Sequence, residues 1–389
     1  MVARRGVVVL GATGSVGSST CNVLRRHADR FRVVGFSAAH RVEALDLLAM
    51  EFEPDFVVLA GTPEHRHAAS WMGEWRYGSD ALVEAAADER ADIVVNALVG
   101  AAGLEATLAV LQAGKRLALA NKESLVAGGA LVVDAWRSGT GEILPVDSEH
   151  SAIHQCLAGR PSLEVRRLIL TASGGPFRTM PASQFASIRS VDALAHPTWN
   201  MGSKISVDSA TMANKALEVI EAHLLFDIAL DSIEVVVHPT SIVHSFVEFQ
   251  DGSTMAQLGF PTMEVPILYA LASPERLPDE FEPFDPVRAG ALEFEPLRRD
   301  AFPMFDLGLA AAHAGGTAPA AFSAANEVAV AAFLADDLDF PGIPRVVGAV
   351  LDAWDGGQVD SVEAVMVADA EARRRANEIV GNCSGHVGC

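Results

Sequence analysis

The chain has 389 residues and a formal net charge of −21, and half of its residues are apolar. A chain of this length exceeds what one compact core accommodates, so we expect two or three domains. The acidic balance argues against nucleic acid as a partner, because the phosphate backbone attracts basic surfaces. No window of the sequence reaches the apolar length of a membrane span, so we expect no membrane partner.

A strand, a glycine-rich turn and a helix are predicted at the start of the chain. Residues 7–10 are apolar, residues 11–17 read G-A-T-G-S-V-G, and a helix is predicted to continue to about Arg26. Glycines at such a turn let the backbone approach a pyrophosphate, and the N-terminus of the helix faces its negative charge. This order of elements predicts a dinucleotide site, with a purely structural turn as the alternative.

The end of the second predicted strand, residues 31–36, bears on the choice of coenzyme. An NAD site usually places an acidic side chain at this point to bind the ribose hydroxyls. This sequence has no acid there and instead continues into Ala39, His40 and Arg41. The basic side chain of Arg41 therefore favours NADP, with Arg41 near the 2′-phosphate. A surface arginine on a loop is the alternative interpretation.

Cysteine use and the start of the chain indicate a cytoplasmic protein. The four cysteines suggest no disulfide framework, so we expect reduced thiols. Because a strand is predicted from residue 7, we expect no signal or transit peptide. The tail contains Cys383, His386 and Cys389, which are metal-ligating residue types without a fourth ligand, and we predict a frayed terminus there.

Further apolar runs predict a parallel sheet whose strands end in polar clusters. The residues at such strand ends lie at the carboxyl edge of a parallel sheet, where ligands bind. Among them, Asn96 and Asn121 each come at or directly after a run, and Asn121 is followed by Lys122 and Glu123. The predicted strands are residues 56–59, 93–97, 117–120 and 143–146.

The last of these runs leads directly into Asp147, Ser148 and Glu149. If the chain stays extended there, the side chains alternate and the two carboxylates point the same way. Two adjacent carboxylates repel each other, and a hard divalent cation with oxygen ligands would relieve that repulsion. A solvated strand end with two acids is the alternative.

A second unit is predicted after Ser148, starting with a strand over residues 165–172. The small residues after it, beginning with Ser173, suit an anion. Residues 196–204 contain Trp199 and Met201 on a glycine-bearing loop without regular periodicity. Such a segment suits a lid over a ligand, and an ordered core loop is the alternative.

Residues 209–226 predict the clearest helix of this second half. Its spacing places Asn214, Lys215 and Glu218 on one face, because residues three and four apart are neighbours on a helix. A surface ion pair between Lys215 and Glu218 is the alternative to a binding role.

The remaining pattern completes the expected fold class, which is α/β. Strands at residues 234–238, 245–249 and 254–258 suggest an antiparallel meander with a turn at Asp251, and His238 and His244 are interpreted as structural. Apolar periodicity over residues 325–334 and 362–379 predicts parts of a helical bundle. We expect an N-terminal Rossmann-like parallel sheet domain, an α+β catalytic domain with a lid, a linker and a C-terminal helical bundle domain. The predicted boundaries are 1–146, 147–272, 273–306 and 307–389.

Long motifs, taken in order, resemble those of the 1-deoxy-D-xylulose 5-phosphate reductoisomerase family. The resemblance runs from Gly11 to at least Leu334. The motifs are G-A-T-G-S-V-G, N-A-L-V-G-A-A-G-L, A-N-K-E-S-L-V, L-P-V-D-S-E-H-S-A-I, S-G-G-P-F-R, H-P-T-W-N-M-G-S-K-I-S-V-D-S-A-T-M-A-N-K-A-L-E-V-I-E-A and A-A-N-E. The family rearranges a phosphorylated ketose and reduces the resulting aldehyde with NADPH, in the non-mevalonate route to isoprenoids.

The resemblance implies a set of functional residues and a homodimer. Asp147, Glu149 and Glu218 would hold Mg²⁺, Mn²⁺ or Co²⁺, and Lys122 would act with them in catalysis. The substrate phosphate would bind Ser173, Ser209, Asn214 and Lys215, with His196 closing over it. The full substrate-binding set is Lys122, Ser148, Glu149, Ser173, His196, Trp199, Met201, Ser209, Asn214, Lys215 and Glu218. The NADPH-binding set is Thr13, Gly14, Ser15, Val16, Ala39, His40, Arg41, Asn121, Glu123 and Gly202.

Some positions differ from the family pattern without removing a metal or phosphate ligand. Ala39 to Arg41 replace a Gly-x-Asn type turn, and Thr262 and Glu264 replace an expected Asp and Arg. Two other functions stay open from the residues: an NADP-dependent dehydrogenase of another phosphorylated metabolite, and a non-catalytic sensory relative. The complete set of carboxylates and lysines favours the reductoisomerase, because unpaired neighbouring carboxylates repel and would cost stability.

Overall fold

The structure is a computed structural model that describes residues 4–61, 69–199 and 201–384. The tail residues Cys383, His386 and Cys389 lie outside the part whose side chains are described. The chain forms two compact units. Unit one comprises Met1–Asn121, Val132–Ser151 and Thr262–Phe281, and unit two comprises Lys122–Leu131, Ala152–Pro261 and Glu282–Cys389. The predicted four-part division of the chain stays a prediction.

Strands and helices are numbered here in chain order. The strands are Arg5–Leu10 (β1), Phe31–Ala38 (β2), Phe56–Leu59 (β3), Glu74–Tyr77 (β4), Ile93–Asn96 (β5), Arg116–Leu119 (β6), Glu142–Pro145 (β7), Val165–Ala172 (β8), Ile233–Val237 (β9), Val243–Phe249 (β10), Thr254–Leu258 (β11) and Glu295–Pro296 (β12). The helices are Ser15–Arg26 (α1), Val42–Phe52 (α2), Asp80–Ala87 (α3), Leu104–Gln112 (α4), Lys122–Ser138 (α5), Ser148–Leu157 (α6), Ser190–Ala193 (α7), Ser203–Thr211 (α8), Ala213–Phe226 (α9), Glu264–Ala272 (α10), Pro286–Ala289 (α11), Pro303–Ala314 (α12), Ala318–Leu334 (α13), Gly342–Asp352 (α14) and Val362–Ser384 (α15).

Unit one is built on a parallel sheet. Within the described residues its seven strands run in the order β4-β3-β2-β1-β5-β6-β7, and each neighbouring pair is parallel. The valine-rich runs of β1, β3 and β5 are fully buried, as expected for strands covered on both faces. The strand order reverses between β1 and β5, so the crevice at their carboxyl ends is the expected ligand site.

Helix α10 was not predicted from the sequence. It belongs to unit one, where Ile267, Leu268 and Leu271 are buried in the same core as β1 and α1. Glu264 in its first turn accepts hydrogen bonds from Asn22 at 3.0 Å and from Arg26 at 2.7 Å, both on α1. The departure from the family pattern at Glu264 therefore creates a local contact between α1 and α10.

Unit two contains a mixed sheet, in which the predicted meander is only partly present. In the described part of the chain the strand order is β11-β10-β8-β9-β12. The hairpin of β10 and β11 is antiparallel and confirms the predicted turn at Asp251. The prediction for β9 was wrong, because β9 pairs in parallel with β8 and not with β10. The long connection through α7, α8 and α9 returns the chain in its original direction, which allows parallel pairing.

The predicted single helix over residues 209–226 was also wrong at its start. The structure has two helices, α8 and α9, separated by Met212, whose φ of 68° and ψ of 9° place it in the left-handed region. A left-handed residue ends one helix and lets the next begin in a new direction. Ser209 consequently lies on α8, whereas Asn214, Lys215 and Glu218 lie on α9.

The C-terminal part of unit two is helical, as predicted. Residues 325–334 lie in α13 and residues 362–379 lie in α15. Phe322 and Phe333 on α13 and Val347 on α14 are among the buried apolar residues of this part. These elements confirm the α/β class, with a parallel sheet, a second mixed sheet and a helical C-terminal region. In the described part of the chain, no helix has both the length and the apolar character needed to cross a bilayer.

Candidate active site

The glycine turn of unit one has a backbone conformation and close packing that exclude larger residues at Gly11 and Gly17. Gly11 has a φ of +82°, and a Cβ there would lie 2.5 Å from the carbonyl oxygen of Ala97. A Cβ on Gly17 would lie 2.3 Å from the carbonyl oxygen of Gly11. Ser37 fixes the turn, because its Oγ accepts a hydrogen bond from the Gly11 N–H at 3.0 Å. These contacts require glycine for the tight turn, and the exposed Gly14 leaves backbone that a ligand can approach closely.

The residues after this turn form the start of α1. Gly14 and Ser15 are exposed, while Thr13 and Val16 are partly exposed. Within the described residues, no side chain caps the N-terminus of α1, and its first turn contains no acidic residue. Helix N–H groups that lack an intrahelical partner, together with the helix dipole, suit the pyrophosphate of a dinucleotide.

Arg41 lies beside the glycine turn. Its Nη1 donates a hydrogen bond to the carbonyl oxygen of Thr13 at 2.8 Å. Ala39, His40 and Arg41 are all exposed at the carboxyl end of β2. The role predicted for Arg41, binding of a phosphate group on the adenosine ribose of a dinucleotide, stays a prediction.

Two asparagines organise the loops that follow β5 and β6. Asn96 is fully buried, and its Nδ2 donates to the carbonyl oxygen of Gly103 and to Thr107 Oγ1 at 3.1 and 2.9 Å. Asn121 is also buried, and its Nδ2 donates to the carbonyl oxygen of Gly100 at 3.1 Å. These contacts hold the loop at residues 100–103 against the carboxyl edge of the sheet.

The geometry of Asp147 and Glu149 differs from the sequence prediction. Strand β7 ends at Pro145, and α6 begins at Ser148, so the alternation of an extended strand does not apply to these side chains. The backbone N–H of Ser151 donates to the Asp147 carbonyl oxygen at 2.8 Å, as in a helix start. A carboxylate oxygen of Asp147 and one of Glu149 nevertheless lie within 4.8 Å of each other. Ser148 Oγ donates to the Glu149 carboxylate at 2.5 Å.

In unit two, the side chains of Lys122, Asn214, Lys215 and Glu218 form what we call the Glu218 cluster. Glu218 is 1% exposed and Lys215 is 5% exposed, which excludes a surface ion pair. The Glu218 carboxylate accepts hydrogen bonds from Asn214 and Lys215 at 2.5 Å each, and Lys122 Nζ lies 3.6 Å away. The ammonium groups of Lys215 and Lys122 therefore both lie close to the Glu218 carboxylate and attract its negative charge.

Further hydrogen bonds fix the two lysines of the Glu218 cluster. Lys122 Nζ donates to Asn214 Oδ1 at 2.8 Å, and Lys215 Nζ donates to the carbonyl oxygen of Thr171 at 2.6 Å. Lys122 lies at the start of α5, Thr171 near the end of β8, and the other members on α9. Three separate elements therefore determine where these charges lie.

The side chains of Ser173, His196 and Ser209 form a second group, called here the hydroxyl cluster. His196 Nε2 lies 2.9 Å from Ser173 Oγ and 3.1 Å from Ser209 Oγ. His196 Nδ1 accepts hydrogen bonds from the backbone N–H groups of Thr198 and Trp199, so the ring proton of the neutral imidazole lies on Nε2. Burial lowers the pKa of His196, which favours this neutral form.

The hydroxyl cluster resembles a site for the oxygen atoms of an anion. Two hydroxyls and one imidazole N–H are all able to donate. The backbone also comes close, since Gly175 has a φ of +66° and a Cβ there would lie 2.9 Å from the Ser209 carbonyl oxygen. The Gly175 N–H donates to Ser173 Oγ at 3.3 Å.

The residues predicted for a lid continue from His196. Trp199 and Met201 are partly buried, and Gly202 is exposed at the N-terminal end of α8. Thr198 Oγ1 donates to the carbonyl oxygen of Pro239 at 3.4 Å. The imidazole of His196 thus links the backbone of this segment to the hydroxyls of Ser173 and Ser209.

The sequence interpretation assigned no role to Lys204 or Asp208. Lys204 Nζ lies 2.8 Å from Glu123 Oε1 and 2.9 Å from Asp208 Oδ2. One sequence signal was available: the chain contains only four lysines, and all except Lys115 lie in unit two. A second signal was the spacing of Lys204 and Asp208, which places them on one helix face.

Proteins of known family match this chain over nearly its whole length. Family profiles described as 1-deoxy-D-xylulose 5-phosphate reductoisomerase and as its C-terminal domain match residues 7–129 and 143–226, and one described as DXP reductoisomerase C-terminal domain matches residues 258–375. A 1-deoxy-D-xylulose 5-phosphate reductoisomerase of Ralstonia nicotianae is 49% identical over 383 residues, which cover 96% of this chain and 98% of that protein. The chain belongs to the 1-deoxy-D-xylulose 5-phosphate reductoisomerase family.

Solved structures of reductoisomerases agree with this assignment. The enzyme from Zymomonas mobilis in complex with NADPH has a TM-score of 0.90 at 43% identity, covering 97% of this chain and 99% of that chain. Another reductoisomerase, in complex with NADPH, fosmidomycin and magnesium, has a TM-score of 0.91 at 41% identity, covering 97% of this chain and 98% of that chain. The family resemblance inferred from the motifs is confirmed.

Proposed function

We propose that this chain converts 1-deoxy-D-xylulose 5-phosphate into 2-C-methyl-D-erythritol 4-phosphate with NADPH and a divalent cation. The observation that carries the proposal is the Glu218 cluster, in which a buried carboxylate on α9 lies close to one lysine of α9 and one lysine of α5. Family membership supports the same reaction, because the related solved structures contain NADPH and magnesium.

The glycine turn of unit one fits NADPH. A Cβ at Gly11 or Gly17 would collide with backbone oxygens, so glycine at these positions permits the tight turn and the close helix packing of a dinucleotide site. Thr13, Gly14, Ser15 and Val16 would contact the phosphates, and Arg41 would contact the 2′-phosphate. Ala39 and His40 would flank Arg41. We assign Asn121, Glu123 and Gly202 to the nicotinamide half.

The carboxylates fit a divalent cation of the hard, oxygen-binding type. Asp147 and Glu149 in unit one, and Glu218 in unit two, offer only oxygen donors, which Mg²⁺ and Mn²⁺ prefer. The proximity of the Asp147 and Glu149 oxygens supports a shared cation. When bound, the cation would polarise the ketone and hold its neighbouring hydroxyl oxygen. Mn²⁺ and Co²⁺ are the proposed alternatives to Mg²⁺.

Lys122 and Ser148 would orient the reacting end of the ketose. The Lys122 ammonium already donates to Asn214 and lies beside Glu218, so it can stabilise negative charge that develops on a substrate oxygen. Ser148 Oγ donates to Glu149 and would remain close to a substrate hydroxyl. NADPH supplies the hydride that reduces the aldehyde formed by the rearrangement.

The hydroxyl cluster and α9 would hold the substrate phosphate. Ser173, Ser209 and neutral His196 offer three donors, and Asn214 with Lys215 would add an amide and a charge. The phosphate does not react, so its binding energy can be used to order the segment that carries Trp199 and Met201. Ordering this segment would exclude water from the aldehyde.

A homodimer and a cytoplasmic location complete the proposal. In the described sheet of unit two, β11 is an edge strand and Met255 on it is 42% exposed. An edge strand with unpaired backbone groups can pair with a second copy of the chain. Sedimentation of the purified protein at the mass of two chains would support the homodimer, and sedimentation at the mass of one chain would contradict it.

The function is tested by following NADPH absorbance with purified protein. We expect oxidation of NADPH only when 1-deoxy-D-xylulose 5-phosphate and Mg²⁺ or Mn²⁺ are both present. A chelator should abolish the rate, added Mn²⁺ should restore it, and NADH should be a poorer coenzyme. Turnover without a divalent cation would contradict the metal assignment. Turnover of a different phosphorylated ketone or alcohol, without this substrate, would indicate a dehydrogenase, and binding without turnover would indicate a sensory protein.

A further inference from the structure

Lys204 has no assigned role in the proposed reaction, yet it lies at the centre of a buried charge network in unit two. Its ammonium contacts the carboxylates of Glu123 at 2.8 Å and Asp208 at 2.9 Å. Both acids are largely buried, with side chains 11% and 1% exposed. One cation therefore connects the first turn of α5 with the middle of α8.

The charge states of this network support strong contacts. Burial opposes the ammonium charge, but Asp208, Glu123 and Glu327 outweigh burial and raise the pKa of Lys204. Burial also opposes the Glu123 carboxylate, and the ammonium of Lys204 outweighs it and lowers the pKa of Glu123. Lys204 and Glu123 are therefore both charged at neutral pH.

The C-terminal helical part of unit two supports the same network. Asn326 on α13 is fully buried, and its Nδ2 donates to Asp208 Oδ1 at 2.7 Å. The next residue, Glu327, accepts a hydrogen bond from Arg373 on α15 at 2.6 Å. The A-A-N-E motif, which had no chemical explanation in the sequence, thus fixes one carboxylate partner of Lys204.

The two carboxylates that Lys204 holds are each next in sequence to a proposed substrate contact. Glu123 follows Lys122, and Asp208 precedes Ser209. Consecutive Cα atoms are about 3.8 Å apart and share a rigid peptide plane, so fixing one residue restricts its neighbour. Lys122 and Ser209 are the members that α5 and α8 contribute to the Glu218 cluster and the hydroxyl cluster.

We infer that Lys204 is a positioning residue, which holds Glu123 and Asp208 so that Lys122 and Ser209 keep the correct places for the substrate. The inference rests on the proposed function and assigns a further role within the same site. Lys204 is not among the residues proposed to contact the substrate, so it would act through Glu123 and Asp208. Asn326 is also a positioning residue, because its hydrogen bond holds Asp208, the residue next to Ser209.

The test compares Lys204→Met, Lys204→Arg and Asn326→Leu in the full-length enzyme. Lys204→Met keeps most of the apolar stem and removes the charge, so we expect kcat/KM to fall at least about tenfold, because two buried carboxylates lose the ammonium that contacts both of them. Lys204→Arg should recover part of this loss. Asn326→Leu should change kcat/KM in the same direction and by less.

A binding measurement separates positioning from general destabilisation. Titration calorimetry of 1-deoxy-D-xylulose 5-phosphate with Mg²⁺ and without NADPH should show weaker binding to Lys204→Met. The matched control is Lys115→Met in unit one, where, within the described residues, the ammonium donates to the carbonyl oxygens of Asp88 and Ala91. This control should lower the melting temperature while leaving KM and kcat near those of the wild type.

Wild-type KM, kcat and substrate affinity in Lys204→Met, with only a lowered melting temperature, would overturn the inference. If Lys204→Met does not fold, the other two variants decide, and wild-type kinetics in both would overturn it. Failure of the proposed function is distinguishable, because the wild-type enzyme would then not turn over this substrate.

Discussion

The two units offer ligands by different means. In unit one, the expected coenzyme site consists mainly of backbone: a glycine turn, the first N–H groups of α1 and one arginine contact, Arg41 to Thr13. In unit two, the Glu218 cluster consists of side chains from α5 and α9, whose polar and charged groups lie 2.5 to 3.6 Å from the Glu218 carboxylate. The first site depends on chain conformation, whereas the second depends on exact chemical groups.

This difference predicts how each unit responds to substitution. Backbone N–H groups persist when a side chain changes, so single side-chain replacements in the coenzyme site of unit one should have graded effects. A buried carboxylate or ammonium that loses its partner leaves an uncompensated charge, which costs about 3–5 kcal/mol. Substitutions in the Glu218 cluster should therefore be far more damaging.

The largest effect is expected for Glu218→Gln. The amide removes a proposed metal ligand and the negative charge that Lys122 and Lys215 face, so kcat should fall by more than about a hundredfold. Circular dichroism should show that the fold is retained. An activity within twofold of the wild type would contradict the role of Glu218 and would remove the distinction between the two units.

A smaller effect is expected for Lys215→Ala, which removes one proposed phosphate contact. Hydrogen bonds to charged groups contribute about 1.5–3 kcal/mol, so KM for the substrate should rise at least about tenfold, with a smaller change in kcat. Steady-state kinetics at saturating NADPH measure this. The control is Lys115→Ala in unit one, and equal KM values for the two variants would place the phosphate elsewhere.

The smallest of these effects is expected for Arg41→Ala in unit one. Exposed charge pairs contribute up to about 1 kcal/mol, so the ratio of kcat/KM for NADPH to that for NADH should fall about three- to fivefold. Arg32→Ala, at the other end of β2, serves as the control, because Arg32 pairs with Asp55. An unchanged ratio in Arg41→Ala would mean that another group recognises the 2′-phosphate.

Unit one was the more predictable of the two from sequence. The strands β1, β3 and β5 are short apolar runs with glycine or asparagine at or just after their ends, and this local pattern is sufficient to identify them and the glycine turn. Strand β4, Glu74–Tyr77, lacks such an apolar run and was missed. Helix α10 was missed because its role depends on packing against α1, far away in sequence. The contacts of Glu264 with Asn22 and Arg26 became visible only in the structure.

Unit two was less predictable because its features depend on tertiary structure. The left-handed conformation of Met212 separates α8 from α9, and methionine gives no sign of such a break. The parallel partner of β9 is determined by the preceding crossover and not by the strand itself. The spacing of Asn214, Lys215 and Glu218 was readable, but their burial and the participation of Lys122 came from the fold and the family motifs.

For Asp147 and Glu149, one feature was predictable from sequence and another was not. Extended backbone was the expected reason for their proximity, whereas the structure brings two of their oxygens within 4.8 Å at the start of α6. The residues were identified correctly as neighbours, and the local conformation was not. A helix start directly after a strand leaves little sequence in which to recognise the change.

Titration of the enzyme with Mn²⁺, followed by electron paramagnetic resonance, tests most directly whether Glu218 joins Asp147 and Glu149 around one cation. We expect a single Mn²⁺ per wild-type chain, with affinity weakened at least about tenfold in Asp147→Asn and in Glu218→Gln. Glu234→Gln, an exposed glutamate in unit two, should bind Mn²⁺ as the wild type does. Wild-type Mn²⁺ affinity in Glu218→Gln would contradict a cation shared by the three carboxylates.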